Sequence, residues 1–275
     1  MPNCPQEICD FIIDLSHNDP KTLKKCCLVS KSWLSRPRKY LFDRIIIHKE
    51  EDYRKWKKTF PAPTGDSPAH HTHTLVVVVK ALLEGEETSW IQAFSRVRRL
   101  VLLFSPLPLD KVASEASTIA SFKILAPSLE ALEMSFEDGR PCPRHFDFIR
   151  SLLPLKYLTL QDYPFDIPDR CGSDKSPAGL APLTSPVLRS ILEVRSSIEF
   201  TERWVCPLLA LPGGLHFTKV GLYSWDGQRN LQLLVEFMAA CSDTLECLEM
   251  LGSPYGAFST VSLFRQTYIR SLIPR

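Results

Sequence analysis

The stretch VRRLVLLF at residues 97–104 places Val97, Leu100 and Leu102 in a frame of the form apolar-x-x-apolar-x-apolar. Its alternating second half is typical of a short β-strand, in which every second side chain points to the same side. Clear copies of the frame start at residues 97, 129, 155, 217 and 245, and weaker copies start at residues 42, 72 and 189, where Thr72 and Arg189 replace the first apolar residue; the mean spacing is 29 residues. Such a period predicts a stack of similar structural units.

Most units also contain a segment with helical spacing just before the frame. The helical segments are carried by Trp90, Ile91 and Phe94; by Ile119, Phe122 and Leu125; by Phe146, Ile149, Leu152 and Leu153; and by Leu231, Leu234, Val235 and Met238. Each unit is therefore predicted to be a helix followed by a short strand, and stacked units place their strands side by side and parallel.

Residues 72–275 accordingly resemble an irregular leucine-rich-repeat solenoid. The predicted fold class is α/β, with parallel strands and helices, and the resemblance implies a surface that recognises a protein substrate. A doubly wound α/β domain would show the same alternation of helix and strand, and it remains the alternative.

The chain opens with an amphipathic helix in the segment PQEICDFIIDL, residues 5–15. Ile8, Phe11, Ile12 and Leu15 share one helical stripe. Pro5 suits the first helical position, and Glu7 adds negative charge near the positive end of the helix dipole.

Two further short helices are predicted before residue 48. Asp19 is the predicted cap of the second, which carries Leu23, Cys26 and Cys27 inward. Ser30 is the predicted cap of the third, and Pro37 is expected to break or kink it. Three helices in so few residues bury only a modest core, so such a unit is usually completed by a partner or a neighbouring domain.

The runs CPQEICDFIIDL, DPKTLKKCCLVSKSW and LFDRIII, within residues 4–47, resemble the F-box, in particular the F-box proteins of mushroom-forming fungi. One position departs from the family, because Cys4 stands where the family prefers Leu. The resemblance assigns residues 1–48 to a three-helix module that docks on the adaptor subunit of an SCF-type ubiquitin ligase.

By position, the resemblance implies that eight residues contact this adaptor or support the contact. They are Pro5, Glu7, Ile8, Ile12, Leu28, Val29, Ser30 and Trp33. The function implied is that of a substrate receptor, bound through the adaptor to a cullin and holding a protein substrate on its repeats. A protein-interaction scaffold outside the ligase is the alternative.

Residues 49–71 are rich in charge and proline and are predicted to be a linker or exposed loop before the domain at 72–275. Imidazole is a common metal ligand, but no cysteine or carboxylate accompanies His70, His71 and His73 in a ligand-like pattern, so we expect no metal site.

Positive charge is concentrated near the N-terminus. Residues 21–58 contain 13 Lys and Arg against four acidic residues, although the whole chain carries a net charge of only +2. Such a stretch binds nucleic acid, docks on an acidic protein or is simply solvated. The basic run 54–58 contains Trp56, and an aromatic residue among cations is typical of proteins that bind single-stranded nucleic acid. A single tryptophan is weak support for that alternative.

No enzyme motif accompanies these features. The sequence lacks a nucleophile elbow, a phosphate-binding loop, a dinucleotide fingerprint and an H-E-x-x-H helix, and we expect neither catalysis nor a cofactor. The strongest apolar run, residues 75–79, is too short to span a membrane. Nine scattered cysteines fit reduced thiols better than a disulfide framework, which favours the cytosol or the nucleus.

Overall fold

The computed structural model describes residues 5–60, 67–82, 88–105, 112–136, 143–152, 155–162, 190–195, 205–206, 208–209, 216–225, 231–252 and 261–264. Cys4 lies outside these residues. The described chain is an α/β protein with a mostly parallel sheet.

Three helices come first: α1 (Gln6–Leu15), α2 (Pro20–Val29) and α3 (Ser35–Leu41), with a 3-10 turn at Lys31–Trp33. The predicted cap of α2 is confirmed, because the carboxylate of Asp19 accepts hydrogen bonds from the backbone N–H groups of Lys21 and Thr22 at 3.0 and 3.2 Å.

Two local predictions for the third helix are wrong. Pro37 does not break α3, because it lies in the first turn, where backbone N–H groups have no intrahelical acceptor to lose. Ser30 precedes the 3-10 turn without capping it through its side chain, and its hydroxyl lies 2.8 Å from that of Ser32 instead.

The sheet has nine strands, and their spatial order is their order along the chain. They are β1 (Arg44–Ile47), β2 (Thr74–Val78), β3 (Arg99–Phe104), β4 (Ala131–Phe136), β5 (Tyr157–Asp162), β6 (Ser190–Arg195), β7 (Phe217–Trp225), β8 (Cys247–Gly252) and β9 (Val261–Phe264). The first eight run parallel, and β9 pairs with β8 antiparallel. This order has no reversal, so the described strands exclude the doubly wound alternative.

The repeated frame fixes the register of the strands. Its second apolar position forms one row across the sheet: Ile45, Leu75, Leu100, Leu132, Leu158, Leu192, Val220 and Leu248. The predicted parallel strands are therefore confirmed. Aliphatic side chains from this row pack with the helices into the main hydrophobic core.

The helices between strands are α4 (Glu50–Thr59), α5 (Val112–Ser121), α6 (Pro143–Ser151) and α7 (Leu231–Ala240). The connections also contain 3-10 turns at Pro68–His71, Val79–Leu82, Thr88–Ala93 and Phe122–Leu125. The segment around Trp90 and Ile91 is thus a 3-10 turn and not the predicted helix. None of the described helices combines the length and the apolar character that crossing a bilayer requires.

Residues 49–71 differ from the predicted linker or exposed loop where the structure describes them. Helix α4 occupies much of the range, and its Tyr53 is buried in the main core. The predicted module boundary at residue 48 also falls just after β1, which is hydrogen-bonded to β2 of the following region. The three N-terminal helices therefore lead directly into the sheet.

Candidate protein-docking surface

Helix α1 has apolar side chains on both sides, and only one side is packed. Cys9 and Ile13 are buried, and Ile13 joins a small core with Leu23 and Cys26 of α2. The opposite side carries the residues that we call the α1 stripe: Ile8, Phe11, Ile12 and Leu15. Each of these residues is between 45% and 68% exposed, so the described chain leaves much of the stripe in contact with solvent.

Helix α2 ends in a second exposed apolar group. Leu28 is 86% exposed and Val29 is 62% exposed, and we call this pair the α2 tip. Cys27 beside it is half-buried, and burial raises the pKa of its thiol. A protonated thiol is a poor nucleophile, which disfavours thiolate chemistry at Cys27. The neighbouring Cys26 is buried in the small core of the helical module.

Exposed apolar side chains are concentrated in this part of the molecule. Among the described residues, nine large hydrophobic side chains are exposed, and six of them belong to the α1 stripe and the α2 tip. Single exposed apolar residues are ordinary on protein surfaces, but a concentration of this kind marks an interaction site.

Polar contacts hold α1 against α3. Arg36 donates to both carboxylate oxygens of Asp14, through Nε at 2.8 Å and through Nη2, and it also contacts Asp10 at 3.3 Å. The hydroxyl of Tyr40 donates to Asp14 at 2.7 Å. The hydrogen bonds from Arg36 and Tyr40 lower the pKa of Asp14 to about 2. These contacts, the Asp14–Arg36 clamp, fix the orientation in which α1 presents its stripe.

The eight sequence-derived contact residues fall into three groups. Pro5, Glu7 and Ser30 are exposed polar or turn positions, while Ile8, Ile12, Leu28 and Val29 are exposed and apolar. Trp33 is half-buried and packs on the small core of the helical module, so it supports this module rather than projecting as an anchor.

The eight residues omit two members of the α1 stripe. Phe11 and Leu15 are 61% and 68% exposed, more than Ile8 and Ile12. The signal was present in the sequence, because Phe11 and Leu15 follow Ile8 by three and seven residues and therefore lie on the same helical face.

The basic run 54–58 offers no stacking platform for a nucleic-acid base. The ring of Trp56 lies 5.5 Å from that of Phe94 and 4.7 Å from that of Phe60, so it packs within the protein. Arg54 pairs with Glu50 one helical turn away. These contacts weaken the nucleic-acid alternative, which needs exposed aromatic rings among the cations.

The three histidines near residue 70 do not converge on a metal. Nδ1 of His73 lies 2.6 Å from the carboxylate of Asp43, and within the described part of the chain no three potential metal ligands cluster. Burial lowers the pKa of His71, assisted by the charges of Lys39, Arg96, His70 and Arg38.

Comparison with known proteins adds no relative. No protein-family model, no curated protein and no solved structure matches the chain.

Proposed function

We propose that this protein is the substrate-receptor subunit of a cullin-based ubiquitin ligase, and that it docks on the adaptor subunit through the α1 stripe and the α2 tip. The observation that carries the proposal is the exposure of six large apolar side chains on two short helices. Burying a side chain of this kind contributes about 1.5–3 kcal/mol when it passes fully from water into an interface. Such a surface fits helix-in-groove docking.

The sequence supports the same assignment independently, through the F-box resemblance of residues 4–47. Three features agree with what that resemblance implies: three short helices, a small core that leaves one side of α1 uncovered, and apolar residues on that side. The anchors in the proposal are the α1 stripe and the α2 tip, and Trp33 packs on the small core of the same helical module.

The sheet region would hold the protein substrate. Eight parallel strands in chain order, each with two apolar residues in alternation, fit a leucine-rich-repeat-like solenoid. In the proposed mechanism the protein performs no bond chemistry, and it acts by raising the effective concentration of a substrate lysine near a ubiquitin-conjugating enzyme. Complexes of this class work in the cytosol and the nucleus, where we expect this protein.

The direct connection of the helices to the sheet bears on this mechanism. His73 and Thr74 donate backbone hydrogen bonds at 2.9 Å to the carbonyl of Asp43, and the hydroxyl of Thr72 donates to the carbonyl of Phe42 at 2.9 Å. These bonds join the end of α3 to the start of β2, so a docked adaptor would hold the sheet in a defined orientation.

The test is co-assembly of the full chain with purified adaptor, with and without the cullin, at moderate salt. We expect a complex of all three subunits. Assembly with the adaptor alone, excluding the cullin, would instead identify a scaffold outside the ligase. Failure of the folded chain to bind the adaptor would contradict the proposal.

A further inference from the structure

The described sheet ends at β1 on one side and at β9 on the other. At the β9 end, the last parallel strand, β8, is covered by an antiparallel strand that carries no copy of the repeated frame. At the other end, the first parallel strand, β1, pairs with β2 and with no other described strand. We call the free side of β1, residues 44–47, the open edge.

A backbone hydrogen bond at the start of β2 fixes which groups face the open edge. The N–H of Thr74 donates to the carbonyl of Asp43 at 2.9 Å, so this carbonyl faces β2. Backbone groups of successive strand residues point to alternate edges, so those of Ile45 also face β2. The N–H and C=O groups of Arg44 and Ile46 therefore face away from β2. Within the described chain no hydrogen bond engages these groups.

The side chains along the open edge suit an added strand. Arg44 is exposed and Ile46 is 37% exposed. The register places Ile46 at the end of a row with Val76 and Val101, on the side of the sheet away from the main core. Edge strands that resist pairing often carry a proline, a lysine or a bulge, and β1 has none of these.

We propose that the open edge docks an extended segment of a partner protein, which joins the sheet as an antiparallel strand. In antiparallel pairing, the residue opposite Arg44 exchanges two backbone hydrogen bonds with it, and the residue opposite Ile46 does the same. The pairing of β8 with β9 shows that the last parallel strand of this sheet takes up an antiparallel neighbour.

The docked segment carries the pattern apolar-x-acidic. Because it runs opposite to β1, its residue opposite Ile46 comes two positions before its residue opposite Arg44. The apolar side chain extends the row that ends at Ile46, and the acidic side chain pairs with Arg44 across the strands. Asp43 does not fill this role, because its carboxylate contacts Nδ1 of His73 at 2.6 Å. Arg44 forms no ion pair within the described chain.

Charge favours such a segment over a second copy of this chain. Antiparallel pairing of two β1 strands, centred on Ile45, would place each Arg44 opposite an Ile46 and bring the two Arg44 side chains to diagonal positions on one face. Like charges at that separation repel, whereas an acidic residue attracts. The open edge shares no residue with the α1 stripe or the α2 tip, so the proposal is independent of the proposed ligase function.

The test is a titration of the isotope-labelled full chain with an acetylated and amidated peptide of sequence TTVTETT, read by amide hydrogen exchange and NMR. We expect saturable binding and slower exchange of the N–H groups of Arg44 and Ile46. The N–H groups of Ile45 and Ile47 face β2 already and should change little. This alternation distinguishes an added strand from a contact made by side chains alone.

N-methylated peptides test the direction of pairing. Methylating the valine nitrogen removes a donor to β1 and should weaken binding about fivefold or more. Methylating the nitrogen of the central threonine is the matched control, because that N–H faces away from β1 in an antiparallel strand. Loss of binding in the control peptide alone would contradict antiparallel pairing, since a parallel strand bonds through that residue.

Charge variants test the acidic position. Arg44→Gln should weaken binding of TTVTETT about threefold and leave binding of TTVTQTT unchanged. Arg98→Gln is the matched control, an exposed arginine just before β3, and should leave both affinities unchanged. Equal effects of the two variants would overturn the acidic assignment.

Two further results would overturn the proposal as a whole. One is the absence of saturable binding of TTVTETT, or equal protection of the N–H groups of all four β1 residues. The other is protection of Arg44 and Ile46 that increases with protein concentration when no peptide is present, which would identify a second copy as the occupant.

Discussion

Replacing Leu28 by alanine removes three carbon atoms from a side chain that is 86% exposed in the free chain. At about 0.8 kcal/mol per buried carbon, the change removes roughly 2 kcal/mol from an interface that covers Leu28 completely. A loss of this size weakens adaptor binding about thirtyfold, since about 1.4 kcal/mol corresponds to a factor of ten.

The same change should hardly affect the free protein. Surface substitutions usually alter the free energy of unfolding by less than about 0.5 kcal/mol. Ile13→Ala behaves in the opposite way, because Ile13 is fully buried and its truncation costs about 2–5 kcal/mol of stability. Comparing the two variants separates loss of contact from loss of structure.

The assay is calorimetric titration of adaptor into the wild-type chain and each variant, together with denaturant unfolding of the chain alone. Ile124→Ala is the matched surface control, because Ile124 is also an exposed aliphatic residue but lies in the 3-10 turn Phe122–Leu125, outside the proposed surface. Equal adaptor affinity for Leu28→Ala and Ile124→Ala would refute the assignment of the α2 tip to the interface.

Three further outcomes follow from the described contacts. Asp14 has a folded-state pKa of about 2, which is below the unfolded value. Its stabilising contribution is therefore present above about pH 4 and is lost as the pH falls toward 2. Asp14→Asn should remove this part of the pH dependence of the free energy of unfolding. Trp33→Ala should lower the stability of the helical module by roughly 2 kcal/mol, measured by hydrogen exchange of α2, because Trp33 packs on its core. Burial raises the pKa of Cys241 to about 12, so peptide mapping after brief thiol labelling at pH 8 should find exposed Cys206 modified and Cys241 intact.

The eight parallel strands were predictable because each contains two apolar residues in alternation, and a period of two residues places these side chains on one side. Helix α4 was missed because Glu50, Glu51, Arg54 and the lysines around Trp56 dominate its composition. Helix α4 contacts the main core through Tyr53 and Trp56, and two aromatic residues are too few to give a periodic signal in the sequence. The antiparallel strand β9 was missed because it carries no copy of the frame.

The candidate surface was only partly predictable. Helical spacing identified the α1 stripe, but α1 also carries Cys9 and Ile13, and no sequence pattern decides which of two apolar sides faces the core. The burial of Ile13 against α2 settles that question for the described structure.

The central claim is that the α1 stripe and the α2 tip bind the ligase adaptor, and methyl NMR of the isotope-labelled chain with unlabelled adaptor tests it most directly. We expect large changes in the methyl signals of Ile8, Ile12, Leu28 and Val29, while the signal of buried Leu100 in β3 stays in place. Adaptor binding that leaves the four exposed residues unchanged, or no binding by the folded chain, would contradict it.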